Sequence, residues 1–154
     1  MVQKVLTTLP YELTAAQKKA WDEISADLEM TRPMHRILQG DVGSGKTAIA
    51  ALALAKTAAS GYQGAIMAPT EILARQHFDT LNAYLQPAGF KVALLVGAMR
   101  SEARQQLLCD LADGKIDILV VPARCGGAQV YPVVLRQCLI RDGVQCVLLV
   151  FQKS

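Results

Sequence analysis

Residues Gly40, Asp41, Val42, Gly43, Ser44, Gly45, Lys46 and Thr47 fill every fixed position of the pattern G-x-x-x-x-G-K-T. Glycines let a backbone wind around an anion so that successive N–H groups converge on it, and a helix that starts there adds its positive end. The chemistry this suits is retention of a triphosphate. Lys46 would lie against the β- and γ-phosphates, and the Thr47 hydroxyl would ligate Mg²⁺. Both groups serve phosphoryl transfer, which makes Lys46 and Thr47 the candidate catalytic residues. A glycine-rich turn with a solvated lysine is the plainer alternative. Guanine recognition would require an N-K-x-D element, but the one asparagine, Asn82, falls inside a helical pattern. ATP with Mg²⁺ is therefore the expected cofactor.

The flanking elements decide in favour of a site. Residues 35–39 read as a short strand ending at the loop, and residues 48–56 are strongly helix-forming. Strand, glycine loop, helix is the context that the pattern needs. Upstream, Thr14-Ala15-Ala16-Gln17 fits a capping box, with Thr14 as N-cap and Gln17 reaching back to it. The helix this opens runs to about residue 29, with Ala16, Ala20, Trp21, Ile24 and Leu28 on one face, while residues 1–13 read as an approach segment. Downstream, Gly61 is a helix C-cap, residues 62–68 a buried strand, and Thr70 the cap of a helix over 71–85. Residues 91–96 form the next strand, Ser101 caps a helix to residue 112, and Asp113-Gly114 turns into a strand over 116–121. Strands alternating with helices imply an α/β fold, with right-handed crossovers and a parallel sheet covered on both faces.

Bulk properties exclude several classes. A chain of 154 residues that is 52% hydrophobic and 19% charged can bury a core and is not disordered. Its apolar runs are far too short to span a membrane, and no basic segment leads into an apolar stretch at the start, so no signal peptide is expected. The four cysteines, at 109, 125, 138 and 146, form no C-x-x-C pair, and His35 and His77 are not spaced to complete a metal site. Reduced thiols and a cytoplasmic location are the simplest account. Acidic and basic residues balance over residues 1–119. The whole excess of +3 lies beyond, where Arg124, Arg136, Arg141 and Lys153 face only Asp142. A nucleic-acid surface on residues 1–119 would therefore be local.

Three stretches together resemble a known family. Leu9-Pro10-Tyr11-Glu12-Leu13-Thr14 with Gln17, Arg32-Pro33-Met34 followed by Leu38 to Thr47, and Ala68-Pro69-Thr70-Glu71-Ile72-Leu73-Ala74-Arg75-Gln76-His77 look like the first motor lobe of the RecG family. These are bacterial ATP-dependent DNA helicases of superfamily 2 that remodel stalled forks and recombination intermediates. The transcription-repair coupling translocase shares the G-D-V-G-x-G-K-T form, but usually has Pro-Thr-Thr-Val-Leu-Ala where this chain has Pro-Thr-Glu-Ile-Leu-Ala. The resemblance implies a RecA-like lobe of the P-loop NTPase fold, incomplete here, and branched or single-stranded DNA as partner. It matches Gln17 to an adenine-reading glutamine, compatible with its capping role. It also matches Thr70 to a residue touching the DNA backbone, with Arg75 and Gln76 assisting; without the resemblance Thr70 reads as an N-cap alone.

The likeness runs from about residue 9 to 119 and then stops. The family would continue into Gly-Thr-His-Ala-Leu, whereas this chain reads Val121-Pro122-Ala123-Arg124-Cys125-Gly126-Gly127. It would also supply an apolar strand ending in Asp-Glu, the Asp to position Mg²⁺ and the Glu to orient the attacking water. No such pair follows the P-loop. The last apolar run, residues 147–151, leads into Gln152-Lys153-Ser154. Residues 1–119 thus read as a partial helicase ATP-binding lobe and residues 120–154 as a tail foreign to the family. A reading-frame shift near residue 120 is favoured over a purpose-built ending. A foreign tail would leave the strand at 116–121 short of sheet partners. The implied function is ATP-dependent translocation on branched DNA, in a piece that binds nucleotide weakly and does not hydrolyse it alone. The rivals are a non-catalytic nucleotide-binding module and a fragment of the coupling translocase.

Overall fold

The computed structural model describes residues 2–32, 34, 36, 38, 45–122 and 147–150. The elements in chain order are α1 (Val2–Thr8), α2 (Ala15–Leu28), α3 (Lys46–Ala59), β1 (Gly64–Ala68), α4 (Glu71–Leu85), a short 3₁₀ turn (Gln86–Ala88), β2 (Val92–Leu94), α5 (Ser101–Ala112), β3 (Ile118–Pro122) and β4 (Val147–Val150). Of the expected strand at 35–39 only Arg36 and Leu38 are described, and neither lies in a strand; loop residues 40–44 lie outside the described residues.

The strands form one sheet in the order β2-β3-β1-β4, and every pair is parallel. β1 and β3 align over their whole length, from Gly64 opposite Ile118 to Ala68 opposite Pro122. Parallel neighbours require crossovers, and α4 and α5 supply them: β1 to β2 and β2 to β3. Alternation along the strands separates two cores. Ile66 and Ala68 of β1 with Ile118 and Val120 of β3 face α3, α4 and the buried Val5 of α1. Ala65, Leu119 and Val121 point the other way, against Leu111, Leu107 and Leu108 of α5. Helices therefore cover both faces, as an α/β sheet of buried strands requires.

Local signals set most boundaries. Thr14 Oγ1 accepts from Gln17 N–H at 3.2 Å while Gln17 Oε1 accepts from Thr14 N–H at 2.9 Å, so the capping box is complete. Thr70 Oγ1 accepts from Leu73 N–H at 3.2 Å and opens α4. Gly61 adopts φ +86° after α3, and Gly114 φ +73° in the turn after α5.

Several expectations need correction. The approach segment is partly helical: α1 forms over Val2–Thr8, anchored where Thr8 Oγ1 donates to Tyr84 O at 2.7 Å. Ser101 is the first residue of α5 and not its cap; Arg100 precedes it and makes no side-chain cap bond. Ala16 is exposed, and the buried stripe of α2 is carried by Ile24 with Trp21 and Leu28 half-buried. β2 and β3 are shorter than 91–96 and 116–121 because the ladder, not the apolar run, fixes their ends. β3 also does not lack partners. It is paired on both sides, and β4 from the last segment covers the far edge of β1.

Leu54, fully buried, pushes a methyl toward the backbone of Gly64, which brings α3 close to β1. Truncation there empties the contact between helix and sheet. Leu54→Ala is expected to lower unfolding free energy by about 2–5 kcal/mol, seen as a lower urea midpoint with an unchanged slope.

Candidate nucleotide site

α3 begins directly after the glycine loop. Its N-cap is Gly45, at φ +82° and ψ +20°, and no side chain caps the helix. A left-handed cap leaves the first turn directed at whatever lies ahead of it, and the helix dipole makes that place favourable for an anion. Lys46 and Thr47 are the first two residues of the helix and both are half-buried. α3 ends beside the start of β1, so its N-terminus lies toward the carboxyl edge of the sheet, with the end of β1 and Thr70. Parallel α/β sheets bind their ligands along that edge.

Gly45 is needed for two reasons. The left-handed backbone disfavours any L side chain. A Cβ there would also collide with the Gln17 amide nitrogen and approach Tyr11 Oη to 3.2 Å. Gln17 and Gly45, 28 positions apart, are thus in immediate contact. The capping box orients the amide: the Thr14 N–H can only donate, so it takes the oxygen, and the NH₂ faces Gly45. Gln17, which the resemblance matches to an adenine-reading glutamine, lies against Gly45. Gly40 to Ser44 lie outside the described residues.

Tyr11 was not anticipated as a site residue. It is 44% exposed, with its hydroxyl over Gly45. An exposed aromatic six positions ahead of Gln17 was the available signal, but only the fold brings it to the loop. Tyr84 lies near enough that Tyr11 adds to the upward shift of the Tyr84 phenol, which arises first from burial.

Two further cations fasten α2. Arg36 donates from Nε to Asp27 Oδ2 and from Nη1 to Glu23 Oε2, each at 2.6 Å. The guanidinium holds the Asp27 carboxyl below the usual carboxylate range. Lys56, from α3, donates to Ser25 O at 2.9 Å and Ser25 Oγ at 2.6 Å, and pairs with Glu29.

The three expected DNA contacts are on another element. Thr70 is exposed at the cap of α4, Gln76 is exposed one to two turns in, and Arg75 pairs with Glu71 at 3.0 Å across one turn. That pair is solvent-exposed and too weak to fix the guanidinium. Ile72 beside them is 72% exposed, an apolar group at the same end of the helix. Among the described residues no group of three or more His, Cys, Asp or Glu could hold a metal, and no helix is long and apolar enough to cross a membrane.

A family model for DEAD/DEAH box helicases matches residues 14–127, from the capping threonine to just past β3. The chain belongs to the DEAD/DEAH box helicase family. Within it, the chain is 50% identical over 119 residues to the ATP-dependent DNA helicase RecG of Bacillus subtilis, covering 77% of this chain and 17% of that one. It is 45% identical over 120 residues to RecG of Borreliella burgdorferi, covering 78% and 18%. A solved structure of RecG bound to a three-way DNA junction superposes with a TM-score of 0.78 at 32% identity, over 96% of this chain and 22% of that one. The chain thus spans less than a fifth of the length of these curated relatives. A RecA-like helicase lobe is the fold of this DEAD/DEAH box chain.

Gly45→Ala tests the site's geometry. It should cost at least about 1 kcal/mol through the left-handed backbone alone, with a further loss from displacing Gln17. Chemical denaturation reads the sum, and an unchanged midpoint would contradict the arrangement.

Proposed function

We propose that this chain is the nucleotide-binding portion of the first motor lobe of a RecG-type ATP-dependent DNA helicase. It binds ATP through Gly40–Thr47 and does not hydrolyse it unaided. The observation that carries this reading is the contact of the Gln17 amide and Tyr11 hydroxyl with Gly45, at the uncapped start of α3. A cradle that a single Cβ would fill fits a ligand approached by bare backbone.

In this reading Gly40, Asp41, Val42, Gly43, Ser44 and Gly45 enclose the phosphates. Lys46 neutralises the β- and γ-phosphates, and the Thr47 hydroxyl holds Mg²⁺, which when bound offsets the remaining phosphate charge. Gln17 reads adenine. Its oxygen keeps a second lone pair beside the Thr14 bond, and its NH₂ donates. Tyr11 flanks the base. Thr70 grips a DNA phosphate through its hydroxyl and the start of α4, without regard to sequence, and Arg75 and Gln76 assist. Branched DNA is the partner, and the cytoplasm the location.

Turnover requires more than retention. Phosphoryl transfer needs a positioned Mg²⁺, a positioned water and added positive charge on the leaving group. Beyond the P-loop no Asp-Glu pair follows an apolar run, and the residues after β4 are Phe151-Gln152-Lys153-Ser154. The family match ends at residue 127, and in this reading the segment beyond it is a tail outside the family pattern. The same sequence feature favours a second reading, a nucleotide-binding module without catalysis.

Equilibrium binding of Mg-ATP beside an ATPase assay with branched DNA tests the reading. Binding without turnover above background is expected, and Lys46→Ala should weaken it by at least about tenfold, the worth of a charge-assisted contact. DNA-stimulated hydrolysis by the purified chain would overturn the non-hydrolysing part. Unchanged affinity in Lys46→Ala would overturn the site.

A further inference from the structure

The first turns of α4 carry an apolar group that the fold does not use. Leu73, Ala74, Leu81 and Leu85 pack into the core, which leaves Ile72 off that side and 72% exposed. No other large hydrophobic among the described residues exceeds 44%. Arg75 and Gln76, three and four residues on, share its side of the helix, and Thr70 stands just before it. All three of these polar neighbours are exposed. Glu71 engages Arg75 only through a solvent-exposed pair, which a phosphate can displace. A protein partner would ask for a wider apolar patch, and α4 has no second exposed large hydrophobic. A nucleic-acid strand fits better, because it presents anionic phosphates with a less polar sugar between them.

We propose that Ile72 is a specificity-determining residue that tells deoxyribose from ribose, by packing on the sugar of the strand whose phosphates Thr70, Arg75 and Gln76 hold. This rests on the DNA-contact reading of those three residues given above. A C2′ methylene lies against the Ile72 methyl groups without loss. A 2′-hydroxyl pressed there gives up water and finds no partner, because a hydrocarbon side chain neither donates nor accepts. The phosphate contacts have no such preference, since DNA and RNA strands share that part of the backbone. One apolar side chain among phosphate donors therefore supplies a selectivity that the donors alone lack.

The test compares two labelled probes of equal length, oligodeoxyuridylate and oligouridylate, which differ only in the 2′-hydroxyl. Fluorescence anisotropy of each against the full chain gives the two affinities. Wild type should bind the deoxy strand about fivefold more tightly, the low end of the cost of an unpaired hydroxyl. Ile72→Ala should weaken the deoxy strand by about three- to tenfold and bring the two affinities together. It removes no charge, so the slope of log affinity against log salt should not change. Ile72→Val should restore the preference. Arg75→Ala should instead weaken both strands alike and flatten the slope by about 0.7, the single-strand value for one phosphate. Equal wild-type affinities would overturn the inference. So would an Ile72→Ala variant that changes neither affinity, or lowers both alike with their ratio kept. A wild type that binds neither probe defeats the DNA-contact reading itself, and with it this inference.

Discussion

A left-handed glycine at the foot of a helix, with a glutamine amide resting on it, is the constraint on which the rest of this molecule turns. Gly45 cannot carry a side chain without displacing Gln17, and its left-handed backbone disfavours one in any case. The need for bare backbone at one point draws in the other elements. α2 must bring Gln17 to Gly45, α3 must start there, and both must be held by a sheet whose carboxyl edge faces the same way. The buried Ile49, Leu52 and Leu54 press α3 onto the sheet and so give the site a rigid floor. Pre-organisation of this kind matters for anion binding, because amides that already converge need not be ordered when the ligand arrives.

The sheet shows how differently structure and chemistry depend on sequence. A parallel ladder asks of its outermost strand only a few residues of extended backbone, and Val147–Val150 meet that demand beside β1. Phosphoryl transfer asks for carboxylates at defined places. An apolar run can satisfy the ladder without supplying them. This separation explains how a fold similar to RecG over 96% of this chain can accompany a sequence in which no Asp-Glu pair follows the P-loop.

Much of the architecture was legible because the relevant signals are local. Thr14 with Gln17, and Thr70 with Leu73, are pairs three residues apart whose geometry is fixed as soon as a helix forms. The glycines at 61 and 114 stop elements by backbone freedom alone, independent of context. What escaped was set by distance. α1 is rich in Val and Thr, poor helix formers, and exists because Val5 is buried against residues far along the chain. Tyr11 stands in a stretch that carries the family resemblance, but only the fold sets it over Gly45. Arg36 finds partners nine and thirteen residues away on a helix that the chain must first turn back to meet. Ser101 looked like a cap by type, but the helix starts one residue earlier than that role requires.

The central claim is that the main-chain amides at the start of α3 receive a nucleotide's phosphates. Amide NMR during titration with Mg-ADP reads this at the atoms concerned. The account predicts saturable shifts of the Gly45, Lys46 and Thr47 amides, with the Gln17 side-chain NH₂ moving at the same ligand concentration. Shifts confined to other regions, or none at saturating nucleotide, would contradict it.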